Sequence, residues 1–285
     1  MLFDLKHDRF GFKTIFHVVM GVILLIVASL PTLLVDLLFG SSTPILRIVI
    51  SAVLNIAAVF LLVRLYIVKG FKMKLADFRI CNPKNMGIWI LVALVLPLAV
   101  SCFFIFLTPG TFTASNLSTA DRIKTITEAL FTFCLIAGVT EELIFRGLIM
   151  RILEIRWNKF IAITVPSVLF GLLHIFNIEN FNITDVSLLL IAGTAVGMMF
   201  SLIAYQSGSI WANALVHGIW NLVIIGGILE ISNRPTTSLF NYTLGSNSSL
   251  LTGGAFGIES SLPAIFGYLV VILIALILHR RTSKK

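Results

Sequence analysis

Eight stretches of the chain are rich in apolar residues and long enough to matter: 14–38, 45–68, 87–107, 124–150, 160–177, 186–205, 209–229 and 262–278. About 20 apolar residues in helical form cross the roughly 30 Å hydrocarbon core of a bilayer. Several of the stretches are long apolar runs without period-2 alternation, which argues against a membrane barrel. The pattern predicts an all-α polytopic bundle of about eight transmembrane helices, one membrane domain over 1–285. The first stretch follows MLFDLKHDRFGFK. It is longer than the apolar core of a signal peptide, about 7–15 residues, and no small-residue cleavage site follows it. It reads as a retained first span.

Composition agrees with the pattern. The chain is 58% hydrophobic and 12% charged, with mean hydropathy +1.03; soluble domains carry roughly 25% charged residues. The net charge of +8 is no sign of nucleic-acid binding, because the basic residues lie in the gaps between apolar runs, where they set topology. Lys6, Arg9 and Lys13 precede the first span. Lys69, Lys72, Lys74, Arg79 and Lys84 follow the second, Arg151, Arg156 and Lys159 the fourth, and Arg280, Arg281, Lys284 and Lys285 the last. The gaps at 108–120 and 178–185 carry no Lys or Arg, and 230–261 carries only Arg234. This alternation places both termini in the cytosol. The short gap YQSGS at 205–209 should then be cytosolic although it is uncharged.

Three local features add expectations. The segment KGFKMKLADFRICNPKN reads either as a short amphipathic piece on the membrane surface or as a plain topogenic loop. The Ser-, Thr-, Asn- and Gly-rich stretch 230–261 reads as a flexible outer loop. Gly193, Gly197 and Ser201 form a small-residue ridge on the sixth span, suited to close helix packing within the chain. Cys81, Cys102 and Cys134 form no disulfide framework.

Against this background the polar residues inside the spans stand out: Glu141, Glu142 and Arg146, then His174, then His217 and Asn221. A charge near the centre of a membrane helix costs about 2.5–3.5 kcal/mol on insertion scales, so the set costs on the order of 10 kcal/mol before pairing. Glu142 and Arg146 stand at i, i+4 and can pair. Glu141 lies about 100° round the helix, so one Arg does not readily neutralise both carboxylates. A carboxylate beside a like charge in a partly desolvated site is the setting for a general base. Pro166 is expected to bend or loosen its helix. His217 and Asn221, also at i, i+4, can aim at one point and donate to an oxygen that gains charge. Counted from the cytosolic helix ends, His217 and His174 lie roughly 14–22 Å deep. One water-filled pocket toward the cytosolic side is expected to hold them with Glu141.

The ordered set E-E-x-x-x-R, F-x-x-x-H and H-x-x-x-N resembles the CPBP family, which includes type II CAAX prenyl endopeptidases and bacteriocin-processing Abi membrane proteases. Glu141, Glu142 and Arg146 fill the first motif, Phe170 and His174 the second, His217 and Asn221 the third, within a catalytic core at 120–225. The resemblance implies intramembrane hydrolysis of a peptide bond in a membrane-associated protein or peptide precursor. Glu141 with His174 would activate water, His217 and Asn221 would hold the oxyanion, and Glu142 with Arg146 would shape the site. A metal-free course is preferred. A zinc ion on His174 and His217 with a carboxylate is the alternative, although H-E-x-x-H is absent. The implied partners are a peptide or membrane-protein substrate and the lipid bilayer, in a bacterial plasma membrane. A bacteriocin self-immunity protein or a membrane scaffold is the non-enzymatic alternative. An ion-coupled transporter is disfavoured, because no internal repeat is visible.

Overall fold

The computed structural model describes residues 3–40, 43–84, 86–177, 182–234 and 236–282, with side chains through Arg280. Lys284, Lys285, the Arg281 side chain and residues 178–181, used above for orientation, lie outside the described side chains or residues. The chain opens with α1 (Phe12–Val27) and α2 (Leu30–Phe39), then α3 (Pro44–Leu65), extended by a π-helical turn at Tyr66–Phe71. After α4 (Met86–Leu107) and strand β1 (Gly110–Ala114) comes α5. This is an unbroken helical run of five segments: Thr119–Glu128, Ala129–Ala137, Gly138–Glu142, Leu143–Ile149 and Met150–Arg156, the second and fourth π-helical. Next are α6 (Lys159–His174), α7 (Ile183–Ser207) and α8 (Ile210–Ile224), then β2 (Leu229–Ser232), β3 (Phe240–Leu244), the single turn α9 (Ser249–Thr252) and α10 (Leu262–Thr282).

Among the described residues, six helices are long and apolar enough to cross a membrane: Phe12–Phe39, Pro44–Phe71, Met86–Leu107, Lys159–Asn177, Ile183–Ser207 and Leu262–Arg280. The fourth and seventh expected spans differ. Residues 124–150 fall inside α5, whose apolar run is interrupted by the charged triplet. The seventh shrinks from 209–229 to the 15 residues of α8, about 22 Å long. It stops at Ile224, shortly before Gly227 turns the chain with φ 73°. Large apolar side chains such as Leu91, Leu94 and Leu98 on α4 and Leu269 and Leu273 on α10 remain exposed. A surface of that kind is matched to hydrocarbon.

The all-α expectation needs a correction. Strands β1, β3 and β2 form a small sheet in that order, β1 antiparallel to β3 and β2 parallel to it. The stretch expected to be a flexible loop is therefore structured. Its strands are too short to stand out from their Ser- and Asn-rich surroundings, and they gain order by pairing with a segment more than 100 residues earlier. The Tyr242 hydroxyl donates to the Thr108 carbonyl at 2.7 Å and pins the sheet to the end of α4.

Contacts sort the connections onto two opposite faces. On one, Arg79 meets Glu154 at 2.7 Å and lies over the Tyr205 ring. The Arg156 Nε donates to the Asp8 carbonyl, and the Lys84 N–H donates to that of Ser207. The uncharged gap thus lies under the basic loops, as expected. It needs no charge of its own: Gly208 ends α7 in the left-handed region at φ 68° and the Ser209 side chain caps α8 at the Trp211 N–H. The segment after α3 carries one 3₁₀ turn, Leu75–Phe78, anchored by the buried Phe78. The opposite face carries the sheet, the start of α5 and the loop before α10, where the Ala255 N–H donates to Asp185.

Two apolar cores result. One joins α4, α7, α8, α10 and the sheet; the other joins α1, α3, α5 and α6. The small-residue ridge on α7 packs within the chain, on α6. A Cβ on Gly193 would stand 2.6 Å from the Gly171 Cα, and one on Gly197 would stand 2.7 Å from that of Ser167. The α6 helix runs through Pro166 without a break.

Gly193→Leu is expected to force α6 and α7 apart, costing roughly 1–3 kcal/mol as overpacking. Thermal unfolding of the detergent-solubilised chain checks this: a lower midpoint is expected, and an unchanged midpoint contradicts the packing described.

Candidate active site

The charged triplet lies where α5 departs from regular geometry. The short α-helical segment Gly138–Glu142 sits between two π-helical ones, and π turns inside α-helices recur at functional sites. Opposite it runs α8, brought into backbone contact by paired glycines. A Cβ on Gly138 would stand 2.9 Å from the Ala214 carbonyl oxygen, and one on Gly218 would stand 2.7 Å from that of Cys134. This approach sets His217 against Glu142.

Glu142 and Arg146 are fully buried. Glu142 Oε1 accepts from Arg146 Nη1 at 2.9 Å and from His217 Nδ1 at 3.0 Å. Its Oε2 accepts from Asn213 Nδ2 at 3.2 Å. Arg146 Nη2 donates to the Gly197 carbonyl, and its guanidinium lies 4.8 Å from the Phe170 ring and 5.0 Å from that of Phe200. A buried ion pair survives when hydrogen bonds satisfy its remaining atoms; here α7, α8 and two aromatic faces contribute, and among its atoms Arg146 Nε makes no hydrogen bond. It is more than an ion pair, because the same carboxylate holds an imidazole.

Glu141 points the other way. With His174, His217 and Asn221 it lines a cavity of about 370 Å³. Its Oε2 is buried, makes no hydrogen bond within the chain, and lies 4.0 Å from His217 Nε2. His174 Nδ1 is 2.7 Å from the Phe170 carbonyl oxygen. A carbonyl only accepts, so the proton is on Nδ1 and the lone pair on Nε2. Carboxylate contact likewise puts a proton on His217 Nδ1. Phe170 explains its place in the second motif: its ring packs 4.5 Å from His174, 6.0 Å from His217 and against Arg146. Asn221 Nδ2 donates to the Phe133 carbonyl at 3.1 Å, tying α8 to α5. It leaves a second amide N–H.

All six expected residues therefore converge, four at the cavity and two behind it. The zinc alternative on His174 and His217 is less well served. Among the described residues, no three His, Cys, Asp or Glu side chains are grouped to hold one ion.

The cavity was expected toward the end marked by the basic loops, and it lies toward the other. Asn177, Ile225, Ala255, Phe256 and Glu259 line it, and these belong to the sheet face, not the basic one. The depth counted for His174 already puts it at the far end of α6, but the lining by the loop before α10 was not legible. Two polar residues were missed. Asn213 lies four residues before His217, so N-x-x-x-H-x-x-x-N was legible on one helix face. Glu259, in the loop before α10, carries no such signal. Burial pushes its carboxyl up to about 7, with the positive charge of His217 opposing.

Comparison with known proteins bears on residues 124–223. They match a family model described as type II CAAX prenyl endopeptidase Rce1-like. No curated protein matches the chain.

Arg146→Ala should destabilise the fold by about 3–5 kcal/mol, because it strands a buried carboxylate. The double variant Glu142→Leu with Arg146→Met should recover much of that loss in the same thermal unfolding assay. A single variant as stable as the wild type would contradict the description of the pair. For Glu259, the folded-state value of about 7 lies above the ordinary 4.5, so the folded state binds the extra proton. Its contribution is full below about 4.5 and is lost as pH rises through about 7. Stability should therefore fall from about pH 5 to about pH 8, and Glu259→Gln should flatten that fall. Equal pH slopes for the two proteins would refute the assignment.

Proposed function

We propose a reaction for this chain on one premise: through residues 124–223 it belongs to the CPBP family of membrane endopeptidases. The chain is an intramembrane endopeptidase, with residues 120–225 as its catalytic core, eight crossings, both termini in the cytosol and a bacterial plasma membrane as its setting. The alternation of basic and sheet-bearing faces supports that topology.

The observation that carries the reading is Glu141 Oε2, which makes no hydrogen bond within the chain, at the wall of a cavity shared with two imidazoles. In the proposed course, Glu141 accepts a proton from the attacking water, and His174 Nε2 accepts the water's second hydrogen bond. The water oxygen bonds to the scissile carbonyl carbon. The carbonyl oxygen, now negative, receives hydrogen bonds from His217 Nε2 and the free amide N–H of Asn221. That contact requires a proton on each His217 ring nitrogen, with Nδ1 3.0 Å from Glu142 Oε1 and Nε2 4.0 Å from Glu141 Oε2. The C–N bond then breaks, and Glu141 returns its proton to the leaving amine. General-base and oxyanion groups contribute about 10²–10⁴ and 10²–10³ respectively to such reactions.

Peptide termini mapped by mass spectrometry in cells carrying the wild type or Glu141→Gln at matched expression test the proposal. Glu141→Gln should insert and unfold like the wild type while a processed terminus disappears and its precursor accumulates. Indistinguishable termini in the two cells would overturn the protease reading in favour of an immunity or scaffold role.

A further inference from the structure

We infer that the cavity is served from the non-cytosolic face. Its substrates are then peptide segments presented outside the cytosol or in the outer half of the bilayer, not prenylated C-terminal tails of cytosolic proteins. The inference rests on the protease reading for the word substrate, but its geometry stands independently.

Three observations carry it. The first is which helix ends line the cavity. His174 is the last residue of α6, about 22 Å along the axis from Lys159 at the basic face. Ile225 follows the far end of α8, and Ala255, Phe256 and Glu259 come from the loop beside the sheet. The second is the floor. Along α5 from Glu142 toward Arg151, every side chain through Met150 is buried, including the Arg146 guanidinium locked to Glu142. A peptide approaching from the basic face meets this ion pair and the apolar layer behind it.

The third is charge. Arg9, Lys72, Lys74, Lys84, Arg156 and Lys159 lie on the face opposite the cavity's rim. Lysine and arginine mark the cytosolic face. The sheet face carries fewer: Arg47 pairs with Asp36 and Lys124 with Glu128, Arg122 donates to the Leu117 carbonyl, and Arg234 follows β2. A prenylated tail is held at the cytosolic leaflet by its lipid, on the wrong side of the floor. The segment that meets substrate is then the loop 253–259. It is pinned to α7 by Asp185, whose Oδ2 accepts from the Ala255 N–H at 3.0 Å, and it brings Phe256 to within 5.9 Å of the His174 ring.

Thiol accessibility in the full-length chain tests this. Cys81→Ser, Cys102→Ala and Cys134→Ala give a background into which Ala255→Cys, Asn247→Cys or Lys74→Cys is placed. Intact cells are treated with a membrane-impermeant maleimide. Ala255→Cys and Asn247→Cys should label before permeabilisation, and Lys74→Cys only after it. The inverted pattern overturns the inference. If the cysteine-free background fails to insert, protease-sensitive epitopes at Asn247 and Lys74 in the wild-type chain read the same question. The termini lost in Glu141→Gln cells should map to exported or outward-facing segments, and termini confined to cytosolic C-terminal tails would also overturn it. Expected labelling with no lost terminus would sink the protease reading and leave the access face standing.

Discussion

The Glu142 carboxylate is the interaction on which the rest of the structure depends. It is fully buried, and it accepts from Arg146 on its own helix and from Asn213 and His217 on α8. Arg146 in turn reaches the α7 backbone at Gly197. Within a bilayer no water relieves an unpaired charge, so the helices must close around this group. The two apolar cores meet here, with Phe170 from one and Phe200 from the other flanking the guanidinium. Packing and chemistry thus share one hub: the contact that makes the charge tolerable also orients an imidazole toward the cavity.

Close packing lets the hub form. In lipid, helices gain little from hydrophobic burial and associate through van der Waals contact and hydrogen bonds. Gly138 against Gly218, and Gly193 and Gly197 against α6, bring backbones near enough for short side chains to bridge. The result divides labour between neighbouring carboxylates. Glu142 is consumed in structure, while Glu141, one position earlier, keeps an oxygen without a hydrogen bond at the cavity wall. Their angular separation on one helix is the physical basis of the division.

Much of this was legible in the sequence, because a bilayer imposes simple rules on it. Runs of apolar residues marked the membrane helices, basic gaps marked one face, and the ionisable residues inside the runs marked the candidate site. The parts that escaped depend on contacts distant along the chain. The sheet forms only because residues 240–244 find residues 110–114. The shortened seventh helix depends on a turn at Gly227, and the lining of the cavity depends on the loop before α10. Asn213 shared the four-residue spacing of His217 and Asn221 and could have been read from it. Glu259 could not, since only the folding back of its loop brings it to the cavity.

The account stands most directly on the orientation of His217. Ring-nitrogen ¹⁵N resonances of His217, recorded on the full-length chain in lipid nanodiscs, measure it. The structure predicts a proton held on Nδ1 by Glu142 in the wild type, with that preference weakened in Glu142→Gln. A neutral ring protonated on Nε2 in the wild type, unaffected by Glu142→Gln, would contradict it.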